Sequence, residues 1–381
     1  MTPTVPAEFP EALLARLRRQ TPRIWLSFVL IAANIGVFLA MLASGAGLWH
    51  SPNEIQLAWG ANFAPATRDG EYWRLGSALF LHFGLIHLSL NMWALWDGGQ
   101  YVERFFGPLR FIAIYLLSGL AGNLLSLVMQ GNQAVSGGAS GAIFGIYGAL
   151  VAALWFSRQD IHTREFRWLF WGAIGFTGAT LGLGLMIRGV DNYAHAGGMA
   201  TGVLLGAMLV RPLGGASAIL SGRVRIAAAL MLCGAIVLLV NHIPEPRYRW
   251  SDETQARQSI RQFIDTEAEI GQHWQSLLAQ GKRDELTFEQ VADRIDSDIA
   301  ERYEESFEQL SRVQVTPGLP SGPAVRNLQA YAELRRNASR TLADGLRAHD
   351  TEQIKRGLEM ARQAQQFASP SSGTGAGKTD K

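Results

Sequence analysis

Charge and cysteine are both scarce in this sequence. Of its 381 residues only 17% are Asp, Glu, Lys or Arg, against about 25% in an ordinary soluble protein. The shortfall is uneven. Residues 24–242 form a succession of long apolar segments, whereas 243–381 are rich in Arg, Glu, Asp and Gln, so the net charge of +2 averages two unlike halves. The single cysteine, Cys233, excludes an internal disulfide and leaves the redox compartment undecided. No metal-ligand cluster, phosphate-binding loop or nucleic-acid motif occurs, so neither a cofactor, a metal nor a nucleic-acid partner is expected. An Arg- and Ser-rich, acid-poor transit segment is missing from the start, which favours a bacterial cytoplasmic membrane over an organelle.

What the chain has in quantity is apolar length. A membrane-crossing helix needs about 20 mainly apolar residues. Seven candidates occur, near 24–44, 79–98, 109–130, 136–157, 168–188, 193–211 and 223–242. The second, fourth and sixth carry His, Asn or Ser, as helices that build a site often do. A soluble core imitates one such segment, not seven in succession. The expected class is an all-α polytopic membrane protein.

Arginines in the short loops set the expected orientation. Arg16, Arg18, Arg19 and Arg23 precede the first span; Arg104 and Arg110 follow the second; Arg158, Arg164 and Arg167 follow the fourth; Arg211, Arg223 and Arg225 follow the sixth. The alternate loops hold fewer, namely Arg68, Arg74 and Arg188. The amino terminus is therefore placed in the cytoplasm and, by parity, the carboxy-terminal region outside. "ASGAG" after the first span resembles a cleavage site, but the apolar run is longer than a signal core, which favours an uncleaved anchor.

These features divide the chain into a cytoplasmic segment (1–23), a six-helix core (24–211), a loop with a seventh span (212–242), a helical extramembrane domain (243–368) and a disordered tail (369–381). The long first loop, 45–78, holds Trp49, Trp59, Phe63, Tyr72 and Trp73 and is expected to lie partly in the outer leaflet. In the extramembrane region, Ser251 is a candidate cap for a helix to about 280. Thr287 with Gln290 resembles a capping box for a second helix ending near Val313. A third helix is expected over 324–348 and a fourth from Thr351 to Phe367. Nothing in this appendage suggests chemistry.

Polar side chains inside hydrocarbon are costly, so each marks a candidate site. Three places stand out. In "LHFGLIHLSLNMW" (81–93), His87 and Asn91 share a helix face, with His82 a turn and a half earlier. In "GGASGAIFG", Ser140 lies among glycines that would suit close helix packing as well as a nucleophile. In "NYAHAGGMATG", His195, Gly198 and Gly202 line one face. A serine hydroxyl needs a base, and acyl transfer needs donors for the oxyanion. Packing alone explains any one of these places but does not call for all three together.

In this order and spacing the residues resemble the rhomboid family of intramembrane serine proteases, over about 71–202. Trp73-Arg74 matches the family's Trp-Arg element, His87 and Asn91 its His-x-x-x-Asn element, and Glu103 with Gly107 its Glu-x-x-x-Gly element. "GASG" matches the Gly-x-Ser-Gly motif, and "AHAGGMATG" the His-x-x-Gly-x-x-x-Gly helix. The resemblance implies a rhomboid-like six-helix bundle plus a seventh transmembrane helix, with the C-terminal helical region outside the family core. It implies a Ser140 nucleophile and a His195 base with no required acid. The oxyanion hole would be formed by His87, Asn91 and the Ser140 backbone N–H. Phe144 stands where members carry Tyr or Phe stacked under the histidine, and lacks the Tyr hydroxyl. Gly138, Gly198, Gly202, His82, Trp73, Arg74 and Glu103 are expected in supporting roles, His82 near a water-accessible cavity.

The implied activity is cleavage of single-span transmembrane proteins in or near the lipid bilayer. Two rivals stand beside it. A rhomboid-like pseudoprotease would hold membrane clients without cutting, but such relatives lose the serine or the histidine, and both are here. A transporter would want paired charges inside the spans, and none is evident. The appendage could recruit substrates, bind a partner or mediate self-association.

Overall fold

In the computed structural model of the chain, the residues described are 11–132, 134–187, 189–210, 213, 222–283 and 285–368. Part of the amino-terminal segment, Arg188, Arg211 and the tail 369–381 lie outside them. The chain divides into two compact units, Met1–Pro246 and Arg247–Lys381. Both are helical.

In the first unit the helices are α1 (Leu13–Gln20), α2 (Leu26–Ala43), α3 (Asn53–Ala58), α4 (Ala64–Arg68), α5 (Arg74–Ser77), α6 (Leu85–Phe106), α7 (Pro108–Gln130), α8 (Ser140–Phe156), α9 (Thr163–Met186), α10 (Asn192–Leu209) and α11 (Gly222–Asn241). Four of them, α2, α7, α9 and α11, are long and apolar enough to cross a membrane; the bent pair Arg74–Phe80 plus Leu85–Phe106, turned by 92°, makes a fifth if counted as one span. The seven-span expectation is thus met by length in only four or five cases. The reason lies in the three polar segments. Residues 136–139 are irregular, so α8 starts at Ser140 and has 17 residues. The expected span from 79 breaks before Leu85. α10 carries Asn192, Tyr193, His195 and glycines that lower its hydropathy.

Of these helices α8 is the most deeply buried. α8 buries thirteen of its 17 residues, including Ile143, Ile146, Tyr147 and Leu154. α9, by contrast, buries only Ala173, Thr177 and Gly184. A helix that is apolar all round and mostly exposed needs lipid around it.

The stretch 45–78 is not a plain loop but carries three short helices, and Arg74 holds it together. Its buried guanidinium donates from Nη1 to the carbonyls of Leu57 (2.7 Å) and Ala61 (3.3 Å), pairs with Glu71 and lies over the Trp73 ring. Glu103 has a different task at the far end of α6. Its buried carboxylate accepts from the backbone N–H groups of Trp25, Leu26 and Ser27 at 2.9–3.0 Å and from the Ser27 hydroxyl at 2.7 Å. It therefore satisfies the donors left open by the first turn of α2.

In the second unit the helices are α12 (Trp250–Gly281), α13 (Phe288–Ile295), a π-helical turn (Asp296–Ala300), α14 (Glu301–Ser311), α15 (Gly322–Ala348) and α16 (Thr351–Ala368). On α12, Ala256, Phe263, Ile270 and Leu277 recur every seven residues and are buried, with Tyr303, Leu310, Val325 and Ala332 in the same core. Thr287 and Gln290 form the reciprocal capping box at the start of α13. Ser251 is not the cap proposed for it, because α12 already begins at Trp250. The helix expected to end near Val313 is interrupted by the π turn. Glu253, fully buried, accepts from the N–H (3.0 Å) and hydroxyl (2.8 Å) of Ser321 and so fixes the turn before α15.

Candidate active site

Ser140 opens α8, and the backbone ahead of it dictates why. Gly138 has φ +145°, a value that side-chain-bearing residues avoid, and its N–H donates to the Ala78 carbonyl at 2.8 Å. Two residues earlier, Ser136 pairs through both backbone bonds with Asn62. The chain is thereby led into a helix whose first N–H groups, beginning with that of Ser140, have no intrahelical acceptor. Those donors and the positive end of the helix face the serine's surroundings.

His195 comes from the first turns of α10, and glycines let α10 approach α8. A Cβ placed on Gly198 would sit 1.9 Å from the carbonyl oxygen of Gly141, and one on Gly202 2.0 Å from that of Gly145. No side chain fits there. At this separation the Ser140 hydroxyl and His195 Nε2 are 2.9 Å apart. Phe144, one turn below the serine, stacks on the His195 ring at 4.3 Å with the planes 5° apart, which fixes the ring's orientation.

α6 brings His87 to the same place. A Cβ on Gly138 would be 3.1 Å from His87 Nε2 and 3.6 Å from Ser140 Oγ, so imidazole and hydroxyl converge on that glycine. Asn91 is buried, and its Nδ2 has no acceptor within the described protein. A buried amide donor left open is costly unless something else fills it. His82 is fully buried with neither ring nitrogen bonded within the described protein, and its ring lies 5.1 Å from that of His87. It joins the site only through His87.

Trp73, Arg74 and Glu103 do not reach the dyad. Trp73 and Arg74 organise the 57–74 segment. Glu103 lies sixteen residues past His87 on α6, about 24 Å along a helix axis.

One residue passed over as a loop position is central. Asp191 caps α10 by accepting from the Ala194 N–H at 3.0 Å, and its Oδ2 accepts from the hydroxyls of Ser126 on α7 (2.6 Å) and Ser136. One carboxylate thus joins the histidine helix, its neighbour and the segment leading to the serine. An Asp directly before a helix start was the available signal. Among the described residues no group of three His, Cys, Asp or Glu could hold a metal ion.

Comparison with known proteins bears on the family of the chain. The family model of the rhomboid domain matches residues 69–212. The rhomboid protease GluP of Bacillus subtilis is 32% identical over 225 residues, 59% of this chain and 42% of that protein. The RHOMBOID-like protein 4 of Arabidopsis thaliana is 39% identical over 160 residues, 42% of this chain and 39% of the relative. The mitochondrial RHOMBOID-like protein 6 of the same plant is 30% identical over 218 residues, 49% of this chain and 69% of the relative. The chain thus spans less than half of the first two relatives but more than two thirds of the third. With that coverage, and with the matched region containing Ser140, His195, His87 and Asn91, this chain is an integral membrane protein of the rhomboid family.

Proposed function

We propose that this protein is an intramembrane serine endopeptidase that cleaves single-span transmembrane proteins with Ser140 as nucleophile and His195 as base. The observation that carries the reading is the 2.9 Å contact between Ser140 Oγ and His195 Nε2, with the His195 ring stacked on Phe144.

The chemistry follows from that contact. His195 Nε2 takes the hydroxyl proton as Ser140 Oγ bonds to the scissile carbonyl carbon. The carbonyl π pair moves to oxygen, and the oxyanion is met by Asn91 Nδ2, His87 and the Ser140 N–H at the helix start. Collapse breaks the C–N bond, and the departing amine takes the proton from His195. Water then attacks the ester with His195 again as base, releasing the new carboxylate and restoring the serine. Phe144 keeps the imidazole in plane without a hydroxyl of its own. A client helix must unwind before its carbonyl can reach Ser140, so small or helix-breaking residues at the cut favour cleavage.

The loop arginines support an amino terminus in the cytoplasm and the helical unit after Arg247 outside, in a bacterial cytoplasmic membrane. The same composition supports the division into core, seventh span, extramembrane unit and tail given above.

The test compares the unmodified chain with Ser140→Ala and His195→Ala on a panel of single-span substrates in liposomes. Both variants should lose at least about a thousandfold in rate with unchanged melting. Cleavage at full rate by either variant rejects the dyad. Binding of clients without any cleavage by the unmodified chain replaces the reading with a pseudoprotease.

A further inference from the structure

Asp97 is a carboxylate in the wrong solvent. It lies near the middle of α6, on the side that also presents Leu90 and Trp93, both more than half exposed. An acid at that depth is expensive and is ordinarily paired or set along a pathway for something polar. Among the described residues no Lys, Arg or His stands within ion-pair distance of it. Its partner is the Tyr147 hydroxyl, which donates to Oδ2 at 2.9 Å, and among the described residues no donor reaches Oδ1.

The position of that partner gives the pair a meaning. Tyr147 follows Ser140 by seven residues on α8, two turns along the same face and about 10 Å deeper in the bilayer. Phe176 of α9 closes the crevice from the other side, 4.7 Å from the Tyr147 ring and 5.8 Å from that of Trp93. With so few buried residues, α9 is held lightly, and an incoming helix can displace this aromatic contact. A client cut at Ser140 that continues as a helix beside α8 descends about 1.5 Å per residue. It passes Asp97 about seven residues beyond the cut.

We propose that Asp97 is a specificity-determining residue, selecting client helices that carry a lysine or arginine about two turns past the cleaved bond, on their way across the membrane. The inference rests on the protease reading for the location of the cut. Tyr147 holds one carboxylate oxygen in place and leaves the other for the client's cation. The long apolar stem of Lys or Arg suits the aromatic crevice of Trp93 and Phe176. Neither the client's cation nor Asp97 otherwise has a partner of opposite charge, so pairing relieves two charges facing hydrocarbon at once.

Binding is measured with the full-length Ser140→Ala chain in nanodiscs and labelled single-span peptides. The peptides differ only in Lys or Met at one position, scanned from about five to nine residues past the cut. At one register the Lys peptide should bind about tenfold more tightly than the Met peptide, the yield of one charge-assisted hydrogen bond. That ratio should fall to about one in Asp97→Asn and Asp97→Leu, and a Glu peptide should gain the preference against Asp97→Lys. A ratio that persists in the Asp97 variants, or that is absent at every register, overturns the proposal. Cleavage of the same peptides by the unmodified chain is followed in parallel. Selective binding without cleavage would sink the protease reading and leave the Asp97 site standing.

Discussion

Gly198 and Gly141 are in backbone contact: any side chain on the first would run into the carbonyl oxygen of the second. This contact sets the distance between α8 and α10, and thereby the reach of His195 to Ser140. Gly198→Ala should destabilise the chain by about 1–3 kcal/mol, as overpacking does. Its cleavage rate should drop by more than the loss of folded protein explains. Gly172→Ala on α9, where nothing lies within 4 Å, is the control and should leave the cleavage rate unchanged without lowering stability. Equal behaviour of the two variants in melting and cleavage assays would show that the close approach is not required.

Asp191 should be separable from a plain acid partner of the histidine. Asn keeps Oδ1 as the acceptor for the Ala194 N–H and places an Nδ2 donor against the hydroxyl oxygens of Ser126 and Ser136, which can accept in turn, while Ala removes all three bonds. Asp191→Ala is therefore expected to cost more than about 1 kcal/mol and to lower cleavage strongly. Asp191→Asn should retain most of both. If Asn is as damaging as Ala, the carboxylate's charge matters more than the clasp. Melting curves and initial rates on one substrate decide it.

Phe144→Leu keeps bulk under His195 but loses the flat face. An aromatic pair contributes about 0.5–1.5 kcal/mol beyond area, so kcat should fall roughly two- to tenfold with KM held. Phe144→Trp, if it folds, should lie between. An unchanged kcat in Phe144→Leu would remove the stacking from the mechanism.

A pH effect is expected in the second unit. Burial, then the 2.7 Å hydrogen bond to Glu267, push the Tyr331 phenol up to about 12, and burial raises that of Tyr303 as well. The folded state thus holds these phenols neutral. Their contribution to stability is complete below the unfolded value of about 10 and is lost as the pH rises from there toward about 12. Circular dichroism of the full chain should show the helical unit weakening across that window. Tyr331→Phe should be less sensitive to it; the same alkaline loss in both chains would count against the assignment.

Much of this protein was legible in one dimension. Ser140, His195, His87 and Asn91 stood out as candidates because such polar side chains are costly in apolar segments, and the fold brings the first three together. Thr287 and Gln290 announced a helix start because a capping box is a local, three-residue device. The helices of the second unit followed from their periodicity and from breakers such as "TPGLPSGP". What escaped depended on contacts between segments far apart in the chain. Asp191 read as a loop residue because two of its three partners, Ser126 and Ser136, are 65 and 55 residues away. Glu103 carried a family position without a task until α2 was seen to begin on it.

The apolar lengths, the polar residues within them and the turn signals by themselves determined that this is a membrane-embedded helical chain with a candidate serine site and a helical appendage. Those are properties of residue type and short-range spacing, where local sterics and transfer free energy act. Only the tertiary structure decided that α8 begins at Ser140, that α10 comes within backbone contact of it, and that Asp97 faces Tyr147 beneath the dyad. Each of these depends on where two helices meet, and helix meeting points are set by the joint packing of all the segments rather than by any one of them.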